Sequence, residues 1–137
     1  MSAKIYLRIA AVLILIHGVL HTFGHCGWKK APDAAKHEVI AEMTGHSFPF
    51  MGVNRSMGDY FEGYGYACTL ALLLIAFLLW VSSAETGSFN KKIIAGISVC
   101  LLLWSADEFI YFFPFAAIIT LLAALLSLAA LFKIKPV

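Results

Sequence analysis

From Ile93 to Phe132 the sequence is almost continuously apolar, a stretch too long for one crossing of a bilayer, whose hydrocarbon layer takes about 20 residues of helix. Proline has no backbone N–H and its ring collides with the preceding turn, so Pro114 marks the break. Two spans are expected, Ile93 to Phe113 and Phe115 to Phe132, joined by a very tight turn. Two earlier apolar runs, Ile5 to Phe23 and Tyr60 to Val81, have the same character. A segment in hydrocarbon must satisfy its own backbone hydrogen bonds, which a helix does alone. The expected architecture is therefore all-α, a single domain of 137 residues built as a four-transmembrane-helix bundle, with a short amphipathic helix in its first loop. Composition agrees: 61% of residues are hydrophobic and only 13% charged, against about 25% charged in a soluble domain. A net charge of +2 with dispersed cations gives no basic tract for nucleic acid, and no Gly-rich phosphate loop occurs. Lys4 and Arg8 precede the first run as in a secretion signal, but no small-x-small cleavage site follows. It reads as a retained span.

The polar stretch from His25 to Ser56 forms the first loop. Pro32 suits the first turn of a helix, and Ala35, Val39, Ile40 and Met43 recur at helical spacing, so a surface helix ending near Gly45 is expected. Ser47 to Gly52 reads as an apolar loop folding back over the bundle, and His37 and His46 as exposed. Ser56-Met57-Gly58-Asp59 has capping-box spacing, which gives Asp59 a structural role at a helix N-terminus. Gly63 and Ala67 form a small-x-x-x-small pair that would admit a neighbouring backbone.

His17, His21 and His25 are the residues least expected in the first span. Steps of four turn only ~40° past a full circle, so the three form a ladder roughly 12 Å long on one side of a helix. Ionisable groups inside a membrane segment are costly and face other helices or a wet cavity. With the N-terminus cytoplasmic, that side carries Lys4, Arg8, Lys91, Lys92, Lys133 and Lys135, and the other holds Lys29, Lys30, Lys36 and Arg55. This fits an N-in, C-in topology. Alternating span direction then places the ladder, Asp59, Glu62, Tyr66, Asp107, Glu108 and Tyr111 in the outer half of the bilayer, as for a site between helices. Asp107 and Glu108 leave two alternatives: buried a little before the Pro114 break, or interfacial if the turn begins near Ser105.

Three chemistries fit such a cluster. Histidines at i and i+4 hold a single divalent transition metal such as zinc or iron when carboxylates from neighbouring helices complete the shell; the candidates are His17, His21, His25, Glu62, Asp107 and Glu108. A bis-histidine haem is disfavoured, because its axial ligands need opposite sides of the porphyrin. Metal-free acid–base work is the second chemistry, with His21 and Glu62 as the central pair and Glu108 as a proton partner, acting on a lipid, isoprenoid or quinone that enters from the bilayer. Third, the cluster locks helix register in a non-catalytic accessory protein. The three cysteines lack C-x-x-C spacing, so no dithiol motif is indicated, and no covalent nucleophile stands out.

Arg8 ahead of an apolar helix with His17-Gly18 towards its end, a connecting loop, Asn54-Arg55-Ser56-Met57-Gly58 opening the second span, and two closely linked final spans resemble the small four-helix DoxX-like membrane proteins. That resemblance implies a membrane redox or accessory role. The expected setting is the cytoplasmic membrane of a prokaryote, with membrane lipid, a lipid-soluble small molecule and a second copy or membrane partner as the partners to look for.

Overall fold

The computed structural model describes residues 2–84 and 87–134; Lys135, counted in the orientation argument, lies outside them. In chain order the elements are α1 (Ala3–Cys26), α2 (Ala34–Gly45), β1 (Ser47–Phe50), β2 (Val53–Ser56), α3 (Met57–Ser82), α4 (Ser88–Tyr111) and α5 (Pro114–Leu131). Four of the helices, α1, α3, α4 and α5, are long and apolar enough to cross a membrane. The chain is an all-α integral membrane protein. Helices α1 and α3 extend beyond their apolar runs at both ends, α1 as far as Cys26, because helical hydrogen bonding continues where the side chains turn polar; α4 begins ahead of Ile93, at Ser88, but stops at Tyr111, short of Phe113, and α5 stops at Leu131, short of Phe132. The last helix starts on Pro114 itself, where a missing N–H costs nothing because the first turn has no intrahelical acceptor for it.

The chain divides into two compact units, one made of residues up to Gly18 and from Ala71 onward, the other of Val19–Leu70. In the first, α1 buries Leu7, Ala10, Ala11, Ile14, His17 and Gly18, a stripe at three- and four-residue spacing. Gly18 lies against α3, where an added Cβ would meet the Leu72 side chain at 3.4 Å. Arg8 reaches Ser83 near the other end of the same pair, so α1 and α3 run antiparallel. Asn90 donates to the Ser82 carbonyl, which fastens the start of α4 to the end of α3. The hairpin of α4 and α5 carries a small, partly polar seam: the hydroxyls of Ser98 and Ser127 meet at 2.9 Å, and Ser105 donates to the Ala117 carbonyl at 2.9 Å. With Ala116, Ala117, Ala123, Ala124 and Ala130 buried on α5, the backbones pack closely, as membrane helices do where no large side chain separates them.

In the second unit, helix α2 begins one residue after Asp33, whose side chain caps the Lys36 N–H. Pro32 therefore precedes the cap and is not in the first turn. The α2 helix buries no residue, and His37 and His46 are exposed. Ser47 to Gly52 is not an irregular loop: Ser47–Phe50 pairs antiparallel with Val53–Ser56, and the hairpin turns through Met51 and Gly52, both at positive φ, the conformation that a tight two-residue hairpin requires. Cross-strand pairing puts Phe48, Phe50, Val53 and Arg55 on one face, and Phe48 stacks on Tyr60 in the first turn of α3. The capping box forms as read: Asp59 accepts from the Ser56 N–H at 2.8 Å and Ser56 Oγ accepts from the Asp59 N–H at 3.1 Å.

Candidate functional site

Within the first unit, His17 sits on the buried stripe of α1 and meets both α4 and α5. Its Nδ1 lies 3.0 Å from the Thr120 hydroxyl, and its Nε2 lies 3.3 Å from Glu108 Oε1. Both partners of this ion-pair geometry are almost fully enclosed, His17 at 6% exposure and Glu108 at 4%. The Thr120 hydroxyl has one proton and directs it to the Ala116 carbonyl one turn back, at 3.3 Å. With Thr120 donating to Ala116, its lone pair faces His17 and Nδ1 is the donor, an arrangement that turns the Nε2 lone pair towards Glu108. A proton shared between Nε2 and Oε1 would make the pair imidazolium with carboxylate or imidazole with carboxylic acid, two forms that differ by moving one proton between atoms 3.3 Å apart.

Trp104, one turn before Glu108, and Thr120 bring donor groups beside the carboxyl, yet Glu108 Oε2 has no hydrogen-bond partner among the described residues. An unpartnered buried carboxyl oxygen is expensive. Asp107, one residue earlier and so turned ~100° around the helix, is exposed. Of the two alternatives for this acidic pair, burial thus applies to Glu108 and exposure to Asp107, while α4 continues to Tyr111.

Within the second unit, His21 and His25 make a different use of their rings. His21 Nε2 donates to the Gly65 carbonyl at 3.1 Å and His25 Nε2 to the Glu62 carbonyl at 3.1 Å, two acceptors on α3. The imidazoles are parallel, with centroids 5.8 Å apart, and Tyr66 meets His25 edge-on. This packing needs a glycine: a Cβ at Gly65 would overlap the His25 ring. Close approach therefore occurs at Gly65, which is buried, and not at Gly63 or Ala67, which are exposed. The Glu62 carboxylate turns to Lys29, whose Nζ donates to Oε2 at 2.6 Å, and to the Tyr66 hydroxyl at 3.4 Å. Lys29 lies outside the spans, and the hydrogen bond it donates to the Glu62 carboxylate holds its pKa above the ordinary lysine value.

The sequence-level candidates thus sort into His17 with Glu108 and Thr120, His21 with His25 on main-chain carbonyls, and Glu62 with Lys29 and Tyr66. His21 and the Glu62 carboxylate, read as a central pair, each have other partners. Among the described residues, no group of three His, Cys, Asp or Glu side chains is placed to hold a metal ion. Thr120, the residue that orients His17, was not a candidate because it does not ionise; its signal is that Thr120 and Ser127, seven apart, are the polar residues of α5. No family model matches the chain, and no curated protein or solved structure shows significant similarity to it.

Proposed function

We propose that this membrane protein exchanges a proton with a lipid-soluble substrate, a quinone or lipid bearing a hydroxyl or carbonyl, at the His17–Glu108 pair. The observation that carries this reading is the unpartnered Oε2 of a buried carboxyl whose other oxygen faces an imidazole. A substrate O–H donating to Oε2 fills the vacant hydrogen bond. As its proton passes to Oε2, the proton held at Oε1 moves to His17 Nε2, and the electron pair of the broken O–H bond stays on the substrate oxygen. Return of the proton reverses each step. His17 is the general base acting through Glu108, and Thr120 fixes the tautomer that makes this direction of transfer available. A likeness in layout to DoxX-like proteins supports a redox or accessory setting for such proton exchange. A divalent metal would find two donors in His17 and Glu108 and would need the rest of its shell from water or substrate.

The cation-rich end of the first unit, with Lys4, Arg8, Lys91, Lys92 and Lys133 near helix ends that meet there, supports an N-in, C-in orientation in a prokaryotic cytoplasmic membrane. A second reading, a non-catalytic accessory protein, is favoured by His21 and His25, whose Nε2 donors go to backbone carbonyls and so tie α1 to α3.

Infrared difference spectra of the purified protein in nanodiscs test the proposal. The Glu108 carboxyl band, identified by its loss in Glu108→Gln, should shift when a long-chain quinone or quinol is added. If no quinone or hydroxylated lipid moves that band, and Glu108→Gln binds them as the wild type does, the acid–base reading is wrong and the accessory reading stands.

A further inference from the structure

We infer that the groove between α1 and α3 in the first unit is a binding site for one anionic phospholipid, with the headgroup phosphate on Arg8 and an acyl chain along the apolar trough. Two open depressions adjoin there, of about 300 Å³ and about 250 Å³. They share Val12 and Trp80, and their linings are apolar apart from Arg8, which borders the first. Ala11 and Ala76, both buried, line the second; their small side chains are what leaves room for a hydrocarbon chain.

The Arg8 guanidinium lies 4.8 Å from the Trp80 ring centroid, and its Nε donates to Ser83 Oγ at 3.4 Å. These two contacts hold the guanidinium in place while four of its five N–H groups are left without a protein partner among the described residues. A planar fork of free donors matches phosphate oxygens in pairs, which a lysine ammonium does not. Position adds a second complementarity. Arg8 stands at the end of the unit where α1 begins, α3 ends and α4 begins, and Lys91 and Lys92 lie near the start of α4, the kind of basic rim that draws acidic headgroups. A zwitterionic lipid would fill the same trough but would bring its own cation to the cationic end. The charged headgroup, not the chain, is therefore what the site selects.

Native mass spectrometry of the full-length protein, delipidated and then offered equal phosphatidylglycerol and phosphatidylcholine of the same chains, reads this directly. Wild type should retain one phosphatidylglycerol in preference to phosphatidylcholine by about tenfold or more, as expected of a charge-assisted hydrogen-bonded contact. Arg8→Gln should abolish the preference. Val12→Trp, which fills the trough from an exposed position and leaves Arg8 in place, should lower retention of both lipids. Lys4→Gln, at the same end but off the groove, should keep the preference, with helical content by circular dichroism unchanged in all three. Equal retention of the two lipids by wild type overturns the assignment. So does a Lys4→Gln effect as large as that of Arg8→Gln, which would mean a diffuse basic surface instead of a site.

Discussion

His17 and the pair His21 and His25 lie on one helix at a spacing of four, yet they are bonded to different kinds of acceptor. Each of the latter two donates from Nε2 to a main-chain carbonyl, an oxygen that accepts a hydrogen bond but takes no proton near neutral pH. His17 is bonded through both ring nitrogens to side chains, a hydroxyl and a carboxyl, and the carboxyl exchanges protons readily. What separates a histidine that fastens helices from one placed to exchange a proton is thus the partner and not the position in the ladder. The neighbouring oxygen atoms make the same point: the Glu62 carboxylate of the second unit is occupied by Lys29 and Tyr66, whereas Oε2 of Glu108 in the first unit has no hydrogen-bond partner among the described residues.

The largest effect should come from cutting the buried pair. Removing one member of an enclosed ion pair leaves the other without compensation and costs about 3–5 kcal/mol, so Glu108→Ala should lower the unfolding free energy in mild detergent by about that much. Glu108→Gln, which keeps a hydrogen-bonding group opposite Nε2, should lose much less, and under the proposed function it should no longer exchange a proton. An equally mild Glu108→Ala would show that the pair is not enclosed as described.

Next in size is Gly65→Ala. The added methyl overlaps the His25 ring, and overpacking of this kind costs about 1–3 kcal/mol. Gly63→Ala, with nothing within 4 Å of the new Cβ, should instead stabilise α3 by about 0.5–1 kcal/mol through helix propensity. Thermal unfolding of the two variants side by side checks the assignment of the close approach, and equal behaviour would undo it. Ser56→Ala, which breaks the capping box before α3, should cost about 1 kcal/mol, measured in the same way.

The smallest effect concerns the exposed Lys29–Glu62 pair. Because folding raises the Lys29 pKa, its stabilisation is fully present below the ordinary lysine value and is lost as pH rises through the raised one. Lys29→Met should therefore flatten the alkaline limb of a stability-against-pH curve and leave the neutral region almost unchanged; a large loss at neutral pH would mean that Glu62 depends on Lys29 more than an exposed pair allows.

The four spans could be read from the sequence because hydrocarbon permits so few backbone solutions, and Pro114, Ser56 and Asp59 act through their immediate neighbours alone. The strands Ser47–Phe50 and Val53–Ser56 leave little signal in the sequence because each has four residues, one holds Pro49, and the turn uses Met51 where Asn or Gly is the usual signal. Which acid is buried, Asp107 or Glu108, depends on a ~100° rotation of the helix, and hydropathy does not resolve that. Telling Gly65 from Gly63 needs the same information, since the two differ by the face they present. Thr120 was invisible as a site residue because its role is to orient His17, and only packing of α1 against α5 reveals it.

The most direct test is side-chain ¹⁵N magnetic resonance of histidine-labelled protein in lipid nanodiscs, with each histidine assigned by substitution. His17 should carry its proton on Nδ1, with an Nε2 signal that changes in Glu108→Gln, while His21 and His25 carry theirs on Nε2 and ignore that substitution. A His17 whose Nδ1 is unprotonated, or an Nε2 signal indifferent to Glu108→Gln, would contradict the division between a proton-exchanging histidine and two that hold helices together.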